Sequence, residues 1–262
     1  HFSMQTLPAQ DFPVLKIMPW TTTFTLPAKT LRYLLTMTAF AMAPKDIRYF
    51  LMGVLFVVEG AKLIAVATDT HRLAYCEAEI DGLNQETKIE AIVPRKTVRE
   101  LLRILPEDDT PVTVNVGDTQ IGFIEFVSKL IEGKFPDYQR VMPTLDTNPQ
   151  CVSINREELL LALRRVQILT NERFHGIRWL FTKGSLTVQG SNAEQEEASQ
   201  KLAVNWEWDD LDIGFNLLYM IELLNNLKNS EVNFHFAATP KSVLVTMPES
   251  SSFRYLIMPM RI

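Results

Sequence analysis

A chain of 262 residues, 47% apolar and 22% charged, has ordinary globular composition and a length that suggests about two domains. It contains no run of about 18 uncharged apolar residues, so no transmembrane helix is expected. His1-Phe2-Ser3-Met4 carries neither the basic nor the apolar part of a signal peptide. The net charge of −5 argues, taken alone, against nucleic acid, and two cysteines, Cys76 and Cys151, give no disulfide framework or cysteine zinc cluster and fit a reducing cytoplasm. His71, His175 and His235 are too scattered in sequence to suggest a metal site.

A chain that starts at His1 rather than Met reads as a shortened or processed product, and residues 1–4 are set aside. Residues 5–20 read as an irregular lead-in and Thr21–Leu26 as a strand. Lys29–Met42 reads as a helix with Leu31, Leu34, Leu35 and Met42 on one face. Strands are expected near 48–59, 62–68, 72–80 and 88–93. Arg95–Leu105 reads as a second helix, because Val98, Leu101, Leu102 and Leu105 form one stripe. Further strands are expected near 111–117, 119–126 and 136–142. Pro143–Pro149 has no periodicity and a proline at each end, so it reads as a linker. Beyond it come a strand at Cys151–Ile154, a helix at Glu157–Leu169, and strands near 176–182, 185–191, 197–208 and 211–215. A helix at Leu217–Leu227 follows, with Leu217, Met220, Ile221 and Leu224 buried, and strands near 230–237, 242–247 and 252–260 close the chain.

The second half repeats the first. Gly53-Val-Leu-Phe56 lines up with Gly176-Ile-Arg-Trp179, Val98-Arg-Glu-Leu-Leu102 with Met220-Ile-Glu-Leu-Leu224, and Val141-Met-Pro143 with Ile257-Met-Pro259. The expected architecture is α+β: two copies of one unit, 5–143 with the lead-in and 149–262.

Charge is divided unevenly. The four expected helices carry +2, +3, +1 and 0, so +6 together, which leaves −11 for everything else. Helices gathered on one surface would make it positive within an acidic protein and attract phosphates without reading sequence. Taken singly, each arginine also fits an ordinary solvated helix face.

The stretch Val66-Ala-Thr-Asp-Thr-His-Arg-Leu-Ala-Tyr75 places a polar turn between two strands. Hairpin turns favour Gly or Asn where φ must be positive; this one carries His71 and Arg72 beside two threonines. Spacing alone favours a solvated turn. It also fits a binding edge beside an apolar pocket, or a catalytic pair in which Asp69 orients His71.

Thr68-Asp-Thr-His-Arg-Leu73, Val93-Pro-Arg-Lys96, Gly133-Lys-Phe-Pro-Asp-Tyr138, Ile213-Gly-Phe-Asn216 and Tyr255-Leu-Ile-Met-Pro-Met-Arg-Ile262, in this order, resemble the bacterial sliding clamp, the beta subunit of DNA polymerase III. The resemblance runs from about Leu7 to Ile262 and covers the second and third of that family's three domains. It implies a DNA-clamp fold, each domain with two helices packed on antiparallel sheets. It also implies a ring of two protomers, head to tail, with helices lining the hole. The expected function is that of a processivity factor that encircles duplex DNA and tethers the polymerase III catalytic subunit, the clamp loader and other proteins through short peptides. No catalysis, cofactor, metal or membrane is expected, and the location is cytoplasmic. Full-length clamps form homodimers; a chain without the first domain is expected to be monomeric.

Carried over position by position, the resemblance implies a peptide pocket of Leu51, Thr68, Thr70, His71, Arg72, Leu73, Pro136, Arg140, Val141, Ser242, Leu256, Met258, Pro259, Met260 and Arg261, with Asn216 and Tyr219 at its edge. Many clamps have glycine where this chain has Thr70, which restricts φ and puts a methyl near the ligand. Leu51, Leu73 and Val141 also fit plain core, Asn216 fits a helix N-cap before Leu217, and Tyr219 fits simple packing. Lys29, Arg32, Arg95, Lys96, Arg99, Arg103, Arg164 and Arg165 are expected to face DNA. On Glu157–Leu169 the core stripe is Leu159, Leu163 and Val166, while Leu161 and Ile168 point away and Leu169 lies to the side. That second apolar face needs cover, and in clamps this region meets the other protomer. A hydrolase built on Asp69 and His71 is the competing reading, but the chain lacks a Gly-x-Ser-x-Gly elbow, a phosphate loop and a metal cluster.

Overall fold

The computed structural model describes residues 1–12, 16–81, 83, 88–124, 126–248 and 250–261. Glu125, at the end of an expected strand, residues 13–15 of the lead-in, and Ile262 of the C-terminal motif lie outside the described residues. In chain order the first unit holds β1 (Thr22–Pro27), α1 (Ala28–Ala39), a 3-10 turn (Tyr49–Met52), β2 (Gly53–Glu59), β3 (Lys62–Thr68), β4 (Arg72–Glu79), β5 (Lys88–Pro94), α2 (Arg95–Ile104), β6 (Pro111–Val116), β7 (Gln120–Phe123), β8 (Phe126–Lys129) and α3 (Tyr138–Val141). The second holds β9 (Gln150–Asn155), α4 (Arg156–Gln167), β10 (Gly176–Thr182), β11 (Ser185–Ser191), β12 (Glu197–Ala203), β13 (Leu211–Asn216), α5 (Leu217–Asn226), β14 (Glu231–Phe236), β15 (Val243–Met247) and β16 (Ser250–Ile257).

The strands form three antiparallel sheets, ordered β1-β6-β7-β8, β12-β11-β10-β13 and β5-β2-β3-β4-β16-β15-β14-β9. The eight-stranded sheet joins the units: β4 pairs with β16, with Leu73 opposite Leu256, Ala74 opposite Tyr255 and Tyr75 opposite Arg254. One core runs through both units on the helix side of this sheet, where Val54, Phe56 and Val58 of β2 and Leu31, Leu34 and Leu35 of α1 are buried. A second core lies on its outer face, where Leu55, Val57, Ile64, Val66 and Leu73 meet Phe135 and Tyr138. β2 therefore reads as an unbroken apolar run, as a strand covered on both faces should.

The two pairs of helices begin differently. Asn155 caps α4 through the Glu157 and Glu158 amides, and Asn216 caps α5 through the Leu218 and Tyr219 amides. α1 and α2 follow Pro27 and Pro94, which offer no side-chain cap. In α1 the Ala28 and Lys29 amides donate instead to Thr110 O and Asp108 O.

Several boundaries differ from expectation for local reasons. Residues 136–142 are not a strand: Pro136 removes a donor, and Tyr138–Val141 make one helical turn that lays Tyr138 and Met142 over the sheet. The 119–126 strand is a hairpin, β7 and β8, that turns at Ile124 with φ 54°. Residues 49–52 tighten into a 3-10 turn before β2. The 197–208 strand stops at Ala203, after which Trp206 turns into the core and donates through Nε1 to Asp209 O. Likewise β16 stops at Ile257 before Pro259, α1 stops at Ala39 and α4 at Gln167.

Candidate peptide pocket and helix-lined face

The β3–β4 turn is held by its own side chains. Thr68 Oγ1 donates to Arg72 O (2.6 Å) and accepts from the Thr70 amide (3.0 Å). Asp69 Oδ1 accepts from the His71 and Arg72 amides at 3.0 and 3.1 Å. Thr70 sits at φ 78°, a left-handed conformation that strains a β-branched residue.

Arg72 fixes this turn from within. Its side chain is 5% exposed, and Nε donates to Asp69 Oδ2 at 3.0 Å, Nη1 to Glu222 Oε2 at 2.5 Å and Nη2 to Phe40 O at 2.6 Å. The guanidinium lies 4.1 Å from the centre of the Tyr219 ring. Asp69, Glu222 and nearby Tyr255 favour its charged form and outweigh desolvation, so its pKa is raised. One residue of the first unit thereby ties the turn to the end of α1 and to α5 of the second. These bonds also decide against a catalytic pair: Asp69 is engaged by Arg72 and by two amides, and its contact with His71 is to the backbone.

A cavity of about 190 Å³ opens beside the turn. Thr68, Thr70, His71 and Leu73 form one wall, Leu256 and Met258 another, and the segment Phe135–Val141 the third. Leu73 and Leu256 are buried cross-strand neighbours at the seam between the units. Val141 and Met258, 55% and 48% exposed, make an apolar lip. The Met258 amide donates to His71 O at 2.9 Å, which fixes the C-terminal strand end against the turn.

Nine expected pocket residues meet here: Thr68, Thr70, His71, Arg72, Leu73, Pro136, Val141, Leu256 and Met258. Phe135, Asp137 and Tyr138 also line the cavity and were not expected to, although they stand in the same Gly133–Tyr138 motif as Pro136. Leu51 is fully buried, in the 3-10 turn, away from the wall. Arg140 is exposed and pairs with Asp137 at 2.9 Å. Asn216 is spent capping α5, Tyr219 carries Arg72, and Ser242 O accepts from Asn148 Nδ2. Pro259, Met260 and Arg261 follow the lip, with the Met260 amide bonded to Gly214 O.

On the helix side the expected cations differ in freedom. Lys29 pairs with Asp109, Arg103 with Glu100, and Arg32 with Glu107 while also donating to Leu102 O and Leu105 O. Arg164 and Arg165 are exposed with neutral partners, Asn225 and Gln200. Lys96 and Arg99 are exposed. Arg95 is half-buried and donates through Nη2 to Met42 O. On α4, Leu161 is 52% and Ile168 80% exposed, with Leu169 half-buried; Phe174, 61% exposed, extends this patch beyond the expected residues. Among the described residues no group of three or more metal-ligating side chains converges, and no helix is long and apolar enough to cross a membrane.

Comparison with known proteins agrees with this geometry. Residues 25–137 match the family model for the DNA polymerase III beta subunit central domain, and 139–261 that for its C-terminal domain. The chain is 39% identical to the beta sliding clamp of Pseudomonas aeruginosa and 41% to that of Escherichia coli K12, over its whole length and 72% of theirs. A crystal structure of the Pseudomonas aeruginosa DNA polymerase III subunit beta superposes with a TM-score of 0.92 at 38% identity, covering 98% of this chain and 70% of that one. A Pseudomonas aeruginosa sliding clamp solved bound to griselimycin gives 0.91 at 39% identity, with the same coverage. Two consecutive domain matches, together with this superposition, make the chain a member of the DNA polymerase III beta subunit family, the beta sliding clamps.

Proposed function

We propose that the chain forms the pocket-bearing part of a non-catalytic DNA sliding clamp, and that its two repeated units, 5–143 and 149–262, act as one docking platform. The observation that carries this is the 190 Å³ cavity at their seam, walled by both units and closed by an apolar lip. Such a pocket suits a short linear peptide with an aliphatic or aromatic anchor, as borne by a polymerase III catalytic subunit, a clamp loader or other clamp-binding proteins. Met258 adapts to different anchors, and Arg140 and Arg261 lie where they can fix polar atoms at the rim. The working location is the cytoplasm.

Duplex DNA would run along the helices, drawn by Lys29, Arg32, Arg95, Lys96, Arg99, Arg103, Arg164 and Arg165 through phosphate contacts alone. Head-to-tail dimerisation of a full clamp is supported by the open edge of β12 next to the apolar patch of Leu161, Ile168 and Leu169. This chain on its own is mostly monomeric, because β8, which holds the place of β16 in the first unit, spans four residues against eight and is a poor partner for β12.

Titration calorimetry tests the pocket with a peptide carrying glutamine, then leucine, then a terminal leucine-phenylalanine pair. Saturable 1:1 binding is expected, and its loss on blocking the lip at Val141 with Val141→Arg. A peptide that binds both proteins equally, or neither, defeats the assignment. For the DNA side, retention on a nicked circle through a high-salt wash would contradict a chain that cannot close a ring alone.

A further inference from the structure

A second cavity, of about 450 Å³, opens on the helix side of the same seam. Its walls include Phe40 at the end of α1, Met42 just beyond it, Arg95 and Arg99 of α2, and Glu222 of α5, with Arg72 behind. Arg95 and Arg99 stand four residues apart and so share one face of α2. The positive charge here is unevenly compensated. Arg72 is matched by Asp69 and Glu222, whereas neither Arg95 nor Arg99 makes an ion pair among the described residues. Arg95 is held in place by Met42 O, yet its Nε is buried with no hydrogen-bond partner among the described residues. A buried guanidinium donor left unpaired is costly. Desolvation, then repulsion from Arg99 and Arg72, lowers the Arg95 pKa, with Glu222 the one listed group acting the other way. The arrangement is two positioned forks without a counter-charge, in a concave site roomier than a side-chain gap.

We propose that this seam cavity is a built site for one phosphate group, bound by the guanidiniums of Arg95 and Arg99. Fork geometry matches phosphate oxygens in pairs, and the bond to Met42 O pre-orients Arg95. The phosphate comes either from a duplex backbone, in which case the site rests on the DNA reading above, or from a free polyanion. It differs from a diffuse positive face in one respect: two particular arginines, rather than all the helix cations alike, carry a large share of the affinity.

The test uses the full chain with two probes. Inorganic pyrophosphate is titrated while the arginine Nε–H resonances are followed by NMR, and a short duplex is titrated by fluorescence anisotropy at about 50 mM salt. Saturable shifts are expected at Arg95 and Arg99. Arg95→Met and Arg99→Met should each weaken duplex binding by about tenfold, against about twofold or less for Lys29→Met and Arg103→Met, whose charges are exposed and already paired. Glu222→Gln should strengthen pyrophosphate binding about threefold by removing the opposing carboxylate. If Arg95→Met does not fold, Arg99→Met and Glu222→Gln must still move affinity in opposite directions. No pyrophosphate shift at Arg95, with Arg95→Met and Arg99→Met no worse than Arg103→Met on duplex, overturns the site and leaves the DNA reading standing. Pyrophosphate binding at Arg95 with no duplex binding keeps the site, assigns it to a free anion, and removes the DNA reading.

Discussion

β4 and β12 hold the same place in the two repeats, each the end strand of a four-strand run, yet one edge is closed and the other open. β4 pairs with β3 on one side and β16 on the other; β12 pairs only with β11. Their sequences follow. Arg72–Cys76 of β4 is a continuous buried run, while Glu197–Ala203 alternates exposed and half-buried residues and carries Glu197 and Lys201. Charges on a free edge discourage indiscriminate pairing. The same unit thus builds a rigid seam where a partner strand is present and keeps a soluble edge where it is not, and both pockets lie at the closed seam.

The largest effect should come from breaking that seam. Arg72→Met removes a guanidinium bonded to Asp69, Glu222 and Phe40 O, and leaves Asp69, whose side chain is 8% exposed, without its counter-charge. Removing one partner of a buried pair costs about 3–5 kcal/mol. Urea unfolding should report a loss of that order, with weaker peptide binding because the turn is no longer fixed. A loss below about 1 kcal/mol would mean the two units hold together without Arg72, and the seam would be only a strand pairing.

Next comes the pocket on that seam. Met258→Ala trims the apolar lip without touching the cross-strand pair Leu73–Leu256. An anchor side chain buried against it contributes about 1.5–3 kcal/mol, so peptide affinity should fall about tenfold or more while the melting temperature barely moves. His71→Ala should reduce affinity only modestly, since its backbone carbonyl, which receives the Met258 amide, is retained. Equal affinity for wild type, Met258→Ala and His71→Ala would remove the pocket from its proposed role.

Helix capping gives a smaller contrast between the repeats. Asn155→Ala and Asn216→Ala each delete a side-chain acceptor for two amides, at a cost of about 1 kcal/mol. Pro94→Ala removes no such acceptor from α2. Thermal unfolding of the three variants should separate the two asparagines from the proline; if all three fall together, capping is not what distinguishes the two pairs of helices.

The repeat was legible because it is written locally: stripes such as Val98, Leu101 and Leu105 name a helix, and matched segments such as Gly53–Phe56 and Gly176–Trp179 reveal duplication. The seam was not. The pairing of Leu73 with Leu256 joins residues from opposite ends of the chain, and both strands read only as apolar runs. For the same reason Arg72 looked like a rim cation: its partners Glu222 and Phe40 O come from other elements. Residues 136–142 had the apolar spacing of a strand, yet Tyr138 and Met142 serve as a cover for the outer sheet face, a role that sequence periodicity does not encode. The resemblance named nine wall residues and missed Phe135 and Tyr138, which belong to that cover.

The smallest effect on folding is expected at the open edge, and there a near-zero result is the informative one. Leu161 and Ile168 are 52% and 80% exposed, on the helix that packs against β12. If the open edge is kept for a partner, their apolar side chains add nothing to this chain's own core. Leu161→Asp with Ile168→Asp should then change unfolding free energy by no more than about 0.5 kcal/mol per site, and the exposed charges should improve solubility. Added to a full-length clamp, the same pair should shift sedimentation from dimer to monomer, because two carboxylates buried in an apolar interface without counter-charges oppose association strongly. A marked loss of stability in the isolated chain would mean that the patch packs internally and that the edge of β12 is closed by this chain itself. A full-length dimer that persisted unchanged would instead move the interface to another surface and leave the contrast between β4 and β12 without a functional meaning.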